Sequence, residues 1–297
     1  MGEERLRRAA EEFYSEYAHG MLPKGLLGTP AECLAKPIAR VFGIEVEVVD
    51  LSVPFWEGAP TWPYAAENPQ ITRVRSHARD RVLAHRICTT MHMATHIDAP
   101  IHVEEGFPSI DQIPLERFIG EGVVVSIPKK EWEVITPEDL ENAKPEIQEN
   151  DIVVINSGWH KYYGDNTKYF CYSPGLYKEA AEWFVKKRVK GVAVDQQAID
   201  HPLGTRLVQP KGTQPLLPWL IEEYKKRTGR DVYEDFPYWE PAHRILYTHG
   251  IFGIERAGGD IDKVTGKRCV IVAFPIKWIG GDASLVRLVA LVKKGEI

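Results

Sequence analysis

The sequence predicts a mixed α/β domain behind a helical N-terminal extension, and three observations carry that prediction. Short β-type runs recur from Glu45 onward: Val46–Leu51, Ile71–Ser76, Leu83–Thr89, Val123–Ile127, Ile152–Asn156, Val192–Asp195, Ile251–Glu255, Cys269–Phe274 and Leu285–Val292. Helical patterns are scattered among them without one-for-one alternation, which argues against a doubly wound parallel sheet. The composition is globular, 44% hydrophobic and 27% charged over 297 residues, enough for one large or two ordinary domains.

Taken in order, residues 3–19 place Leu6, Ala9, Ala10, Phe13 and Tyr17 at helical spacing and predict an amphipathic helix. Gly20, Pro23, Gly25 and Gly28 mark 20–28 as a linker. A second helix is expected over 30–42. Residues 1–43 are therefore read as a helical extension and 44–297 as the main domain. Further on, Ser173-Pro174 offers an N-cap with Pro at the first helical position. Leu176, Ala180, Trp183 and Phe184 then fall on one face. Lys186, Lys187, Arg188 and Lys190 crowd the end where the helix dipole favours cations, and Gly191 supplies a stop. Residues 201–241 stand apart as an insertion, rich in Pro and Gly as far as Pro218. A helix around Pro218–Arg227 follows, then the aromatics Tyr233, Phe236, Tyr238 and Trp239. The insertion is expected to line a pocket, cover it or touch a neighbouring subunit.

Composition also sets exclusions. Lys plus Arg is 37 against 42 Asp plus Glu, a net charge of −5, so nothing global draws the chain to nucleic acid or an anionic membrane. No run of 18 apolar residues exists, so no spanning helix is expected. Cys33, Cys88, Cys171 and Cys269 form no CxxC pair and fit reduced thiols. The Glu-rich start lacks the apolar core of a secretory signal, so the expectation is cytoplasmic. Neither a Walker A sequence nor a GxGxxG after a strand is present, and Gly280-Gly281 reads as a turn before the last strand.

The segment His92-Met93-Ala94-Thr95-His96-Ile97-Asp98-Ala99-Pro100-Ile101-His102 carries the chemistry. On an extended strand, alternate side chains share a face, so His92, Ala94, His96 and Asp98 would point the same way. On a helix at about 100° per residue, Asp98 would stand well away from the two histidines. Pro100 also pushes Ala99 out of helical geometry. The strand reading lets two imidazoles and a carboxylate converge, a set suited to Zn²⁺ or Mn²⁺ with positions left open for water. Glu255 ends an apolar strand, where a carboxylate is costly without a cation or hydrogen bonds; pairing with neighbouring Arg256 is the alternative. Trp56 and Trp62 are candidates to line a pocket for a flat or cyclic ligand, or to anchor loops. Arg73, Arg75 and Arg79 read mainly as a solvated charged face.

The segment resembles the HxGTHxDxPxH signature of the metal-dependent cyclase family, which includes bacterial kynurenine formamidase and isatin hydrolase. His92, Thr95, His96, Asp98, Pro100 and His102 match it, while Ala94 stands where Gly is usual. Asp151-Ile152-Val153-Val154-Ile155-Asn156-Ser157-Gly158-Trp159, Gly191-Val192-Ala193-Val194-Asp195 and Gly253-Ile254-Glu255 are similar to later blocks of that family. The resemblance implies a cyclase-type swivelling β/β/α domain with mixed sheets and peripheral helices. It implies one or two metal ions, with His243 and Glu255 completing the site and Asp98 bridging; His249 competes with His243 on spacing. It implies His102 as the proton-transfer residue, and a homodimer or higher homo-oligomer.

The expected function is a metal-dependent hydrolase opening a non-peptide amide C–N bond, in a cyclic amide or an N-formyl aromatic amine. Thr95 is expected to hydrogen-bond around the site. The substrate is a small molecule, with no nucleic acid or membrane partner. Alternatives on the same metal site are lactone or C–C hydrolysis or ring closure, or a non-catalytic metal-stabilised binding protein. His102 argues against the last, since structural sites need no proton shuttle.

Overall fold

A computed structural model describes residues 29–63 and 68–297. The helix expected over 3–19 and the linker at 20–28 lie outside the described residues. The chain divides into two units, Met1–Gly43 and Ile44–Ile297. In the first, a helix spans only Pro30–Leu34, followed by strand β1 (Ala39–Val41). Thr29 and Glu32 form a reciprocal capping box at its start. The expected helix over 30–42 is too long because Pro37 disfavours helical geometry at Lys36.

The second unit contains β2 (Ile44–Asp50), β3 (Gln70–Arg75), β4 (Ala84–Cys88), β5 (His96–Asp98) and β6 (Ile119–Ser126). Then come β7 (Val134–Ile135), β8 (Ile152–Asn156), β9 (Gly175–Leu176), β10 (Gly191–Val194) and β11 (Phe252–Glu255). Three more close the chain: β12 (Lys267–Val272), β13 (Ala283–Leu285) and β14 (Val289–Lys293). One mixed sheet orders them β2-β14-β12-β6-β8-β10-β11-β5-β13. Its middle, β6-β8-β10-β11, is parallel, and antiparallel strands flank it on both sides. β3 and β4 pair with each other as a separate hairpin.

β8 and β10 are buried along their whole length because both faces of the sheet are covered there. Val123, Val125, Val153, Ile155, Val192 and Val194 face the helices Lys178–Lys187 and Pro241–Thr248. Val124, Ile152, Val154 and Ala193 face the other way. There they meet Leu51, Ile271 and Ala290 from one end of the sheet and Ile97 and Ile254 from the other, so the sheet curls around this cluster. A third cluster is aromatic. It joins Trp159, Tyr169, Phe170 and Tyr177 to Leu203, Leu220, Tyr224 and Phe236 from within 201–241.

Other boundaries in this unit also differ from expectation. Ser173-Pro174 does not start a helix; Gly175 and Leu176 run extended beside Asp200, and the helix begins at Lys178 with no side-chain cap. Its stop is Arg188, at φ +59°, rather than Gly191. Gly191 opens β10, and the Phe252 ring occupies the space its Cβ would need. The expected strand Leu285–Val292 is two strands, because β13 pairs with β5 and β14 with β12 and β2. No described helix is long and apolar enough to cross a membrane.

Candidate metal centre

Strand register builds the floor of the site. β5 is antiparallel to β11, with His96 opposite Glu255 and Asp98 opposite Gly253. Ile97 and Ile254 fill the curled cluster, so His96, Asp98 and Glu255 emerge together on the opposite face. All three are buried. Gly253 is required there: the Tyr247 hydroxyl lies where a Cβ would sit, on its way to donate to Asp98 Oδ2 at 3.1 Å.

His92 reaches the same place by another route. The expected single strand through 92–98 is only partly formed; β5 starts at His96, and 91–95 is a bend. Ala94 has φ +47°, a left-handed conformation that Gly adopts freely and Ala at a cost of about 1–2 kcal/mol. That bend brings His92 Nδ1 to 2.9 Å from Asp98 Oδ1 and Nε2 to 3.0 Å from Asp282 Oδ2. Thr95 is buried beneath it, donating to the Arg256 carbonyl at 2.7 Å and accepting from Val53 N–H at 2.9 Å.

His243 comes from the first turn of the helix Pro241–Thr248. Its Nε2 lies 3.0 Å from Glu255 Oε1 and 3.7 Å from Asp98 Oδ2. Its Nδ1 is 2.6 Å from Asp200 Oδ2, which also accepts the His243 backbone N–H, while Asp200 Oδ1 accepts that of Ala242. Asp200 thus caps the helix and sets the imidazole tautomer together. His249, the competitor by spacing, sits exposed at the helix end, bonded to the Ile245 carbonyl.

Three overlapping groups of donor atoms result, His92–His96–Asp98, Asp98–His243–Glu255 and His92–His102–Asp282, each with atoms within 4.8 Å of one another. Asp98 joins the first two, and the third lies at the more exposed edge. His96 Nε2 and Asp98 Oδ1 are buried, 3.5 Å apart, and neither has a hydrogen-bond partner; the His92 approach to Asp98 is close but misaligned for one. Such orphaned atoms are rare. Three imidazoles and two carboxylates supply the nitrogen and oxygen donors that a divalent first-row ion prefers. These residues fit a metal.

The electrostatics agree. Burial alone would lower the His92 pKa, but Asp98 and Asp282 outweigh it and push it up to about 10. Burial would raise Asp98; the surrounding imidazoles, His92 foremost, hold it well below the usual carboxylate range. Burial works likewise on Glu255, which the hydrogen bond from His243 and the His96 ring 3.4 Å away bring down. His243 is raised well above its ordinary value because Asp200 and Glu255 override burial. His102 is shifted down, first by loss of water and then by positive neighbours. It ends the short 3₁₀ turn Pro100–His102, its ring 4.2 Å from that of His92, with no hydrogen-bond partner among the described residues.

A cavity of about 290 Å³ opens over the cluster. His92, Asp98, His102, His243 and Glu255 line it, with Trp62, Glu240 and Arg256. Trp62 therefore reaches the cavity. Trp56 does not; it stands edge-on to Tyr163. Arg73 and Arg75 lie exposed on the β3–β4 hairpin, and Arg79 lies exposed between its strands. Sequence reasoning missed Asp200, Tyr247, Asp282, Glu240 and the position of Arg256. Asp282 alone had a local signal, following the Gly280-Gly281 turn.

The family model described as putative cyclase matches residues 49–201. The chain is 24% identical over 283 residues to isatin hydrolase of Roseibium aggregatum, covering 86% of this chain and 95% of that one. It is 24% identical over 250 residues to kynurenine formamidase of Salinibacter ruber, covering 82% and 96%. Among solved structures, isatin hydrolase A from Ralstonia solanacearum superimposes with a TM-score of 0.67 at 21% identity, covering 84% and 92%. A potential metal-dependent hydrolase with cyclase activity gives 0.60 at 22% identity, covering 84% and 99%. These structures share the fold, with its large mixed sheet and peripheral helices.

Proposed function

The chain belongs to the putative cyclase family, and from that premise we propose that it is a metal-dependent hydrolase opening a non-peptide amide C–N bond. The bond lies in a cyclic amide or an N-formyl aromatic amine. One observation carries the reading: His96 Nε2 and Asp98 Oδ1 are buried donor atoms without partners at the base of a cavity. Likeness over most of the chain to isatin hydrolase and kynurenine formamidase supports the substrate class.

In this reading His92, His96, Asp98, His243 and Glu255 hold one or two ions of zinc or manganese, with Asp98 shared. A bound divalent ion supplies Lewis acidity, lowering the pKa of water and polarising the scissile carbonyl. The remaining work belongs to side chains. Asp282 accepts from His92 Nε2–H and Asp200 from His243 Nδ1–H, fixing each ring so that its other nitrogen faces the cluster. Tyr247 holds Asp98 through its hydroxyl. His102, which lines the cavity and whose ring makes no hydrogen bond among the described residues, carries a proton to the leaving nitrogen. Trp62 offers a flat apolar wall.

Elemental analysis after purification, paired with turnover of isatin and an N-formyl aromatic amine, tests the reading. His96→Ala is expected to lose both metal and turnover. Full turnover by metal-stripped His96→Ala protein would refute it. A panel including lactones separates the amide reading from the lactone or C–C alternative. The working form is a homodimer or larger assembly, which light scattering measures. The cysteines are all free thiols, in keeping with a reducing cytoplasm.

A further inference from the structure

Arg256 is 2% exposed and follows Glu255 directly. The two do not pair. A φ of +59° turns the chain at Arg256 out of β11 and sends its side chain away from its neighbour. Nε–H donates to the Gln197 carbonyl at 3.2 Å and Nη1–H to the His92 carbonyl at 3.1 Å. The guanidinium lies over the Phe170 ring, 5.0 Å from its centroid. All of these partners are neutral, and Nη2 has no hydrogen-bond partner among the described residues. Arg227, Arg268 and Arg287 are each more exposed, yet each pairs with a carboxylate. Among the described residues no carboxylate lies within ion-pair distance of Arg256.

A guanidinium cannot shed its proton in a protein, and burying it without a counter-charge costs several kcal/mol. That cost is unexplained by packing alone. The side chain lines the cavity over the metal cluster, between the His92 carbonyl and Phe170, whose ring meets the edge of cavity-lining Trp62 at 5.7 Å. A divalent ion held by Asp98 and Glu255 would offset the charge of those two carboxylates. Glu240 is the opposing charge in the cavity. It sits on the His243 side, and burial pushes its carboxyl toward the neutral form.

We propose that Arg256 reads an anionic group on the substrate, so that the preferred substrates carry a carboxylate near the scissile C–N bond. The planar fork of a guanidinium matches a carboxylate in two parallel hydrogen bonds. This inference rests on the hydrolase reading for its substrate, but the anion site itself can be read without turnover.

The test compares metal-loaded wild-type, Arg256→Met and Arg256→Gln proteins on formanilide and on 2-formamidobenzoate, its ortho-carboxylated counterpart. Wild type is expected to favour the carboxylated compound in kcat/KM, and both variants to lose that preference by about tenfold or more. Calorimetric titration with benzoate supplies the second measurement, with dissociation expected to weaken about tenfold or more in the variants. Metal stoichiometry and melting temperature report whether each variant is folded. An unchanged preference, or equal benzoate affinity across the three proteins, overturns the proposal. Absence of turnover in wild type with intact benzoate discrimination overturns the hydrolase reading and leaves the anion site standing.

Discussion

Replacing Asp200 by Asn tests whether one buried carboxylate both seats a helix and aims a metal ligand. Asp200 is fully buried and accepts three N–H groups, from the Ala242 and His243 backbones at 2.9 Å each and His243 Nδ1 at 2.6 Å. An amide has the same shape but only one acceptor oxygen. If that oxygen serves His243, the amide NH₂ confronts the Ala242 N–H, donor against donor. An unsatisfied buried donor costs about 1–3 kcal/mol, and losing a negative charge at a helix N-terminus about 0.3–1 kcal/mol. Together these predict a loss of roughly 1–4 kcal/mol, or a fall of roughly 2–8 °C in melting temperature for a domain of this size. Weakened control of the His243 ring should also cost about 10–100-fold in metal affinity. The assay pairs thermal unfolding of metal-free protein with competition against a chromophoric chelator. If metal affinity stays within about threefold while the melting temperature falls, Asp200 only caps the helix and His243 is not held as a ligand. If neither changes, Asp200 does not hold the Ala242 and His243 N–H groups in solution.

Three further outcomes are expected. His102→Asn should lower kcat by about 10²–10⁴ with metal stoichiometry unchanged; loss of the metal would make His102 a ligand instead. His201 is fully buried, and burial pushes its pKa down to about 3 although its Nε2–H donates to the Trp132 carbonyl. The unfolded chain takes up that proton near pH 6.5 and the folded chain only near pH 3, so stability falls as pH drops between them. The contribution is roughly 1.4 kcal/mol per pH unit, and urea unfolding from pH 6 to 4 should show it in wild type and not in His201→Gln; superimposable slopes would contradict it. Gly253→Ala forces a Cβ against the Tyr247 hydroxyl, costing about 1–3 kcal/mol. A Gly253→Ala, Tyr247→Phe double variant should recover part of that loss.

The central strands were legible because alternation and continuous apolar runs are local properties. Ile152–Asn156 falls where the pattern puts it, and Val192–Asp195 is displaced by one residue. The His92–His102 segment was legible for the same reason, since four chemically distinctive residues lie within one short stretch. Its conformation was not: period-two spacing suggested one strand, whereas Ala94 bends the chain and only His96 and Asp98 share β5. Likewise Leu285–Val292 read as one run, because nothing local records that its two halves pair with different strands.

By itself the sequence determined which residues have the chemistry to hold a metal and which runs must be buried, because both follow from side-chain identity and near-neighbour order. Tertiary structure alone decided that Glu255 lies opposite His96, that Asp200 and Asp282 orient the rings, and that Arg256 lines the cavity with no carboxylate partner among the described residues. Those contacts join positions from roughly 40 to 190 residues apart, and they are fixed by strand register and helix placement, which only the closed core sets.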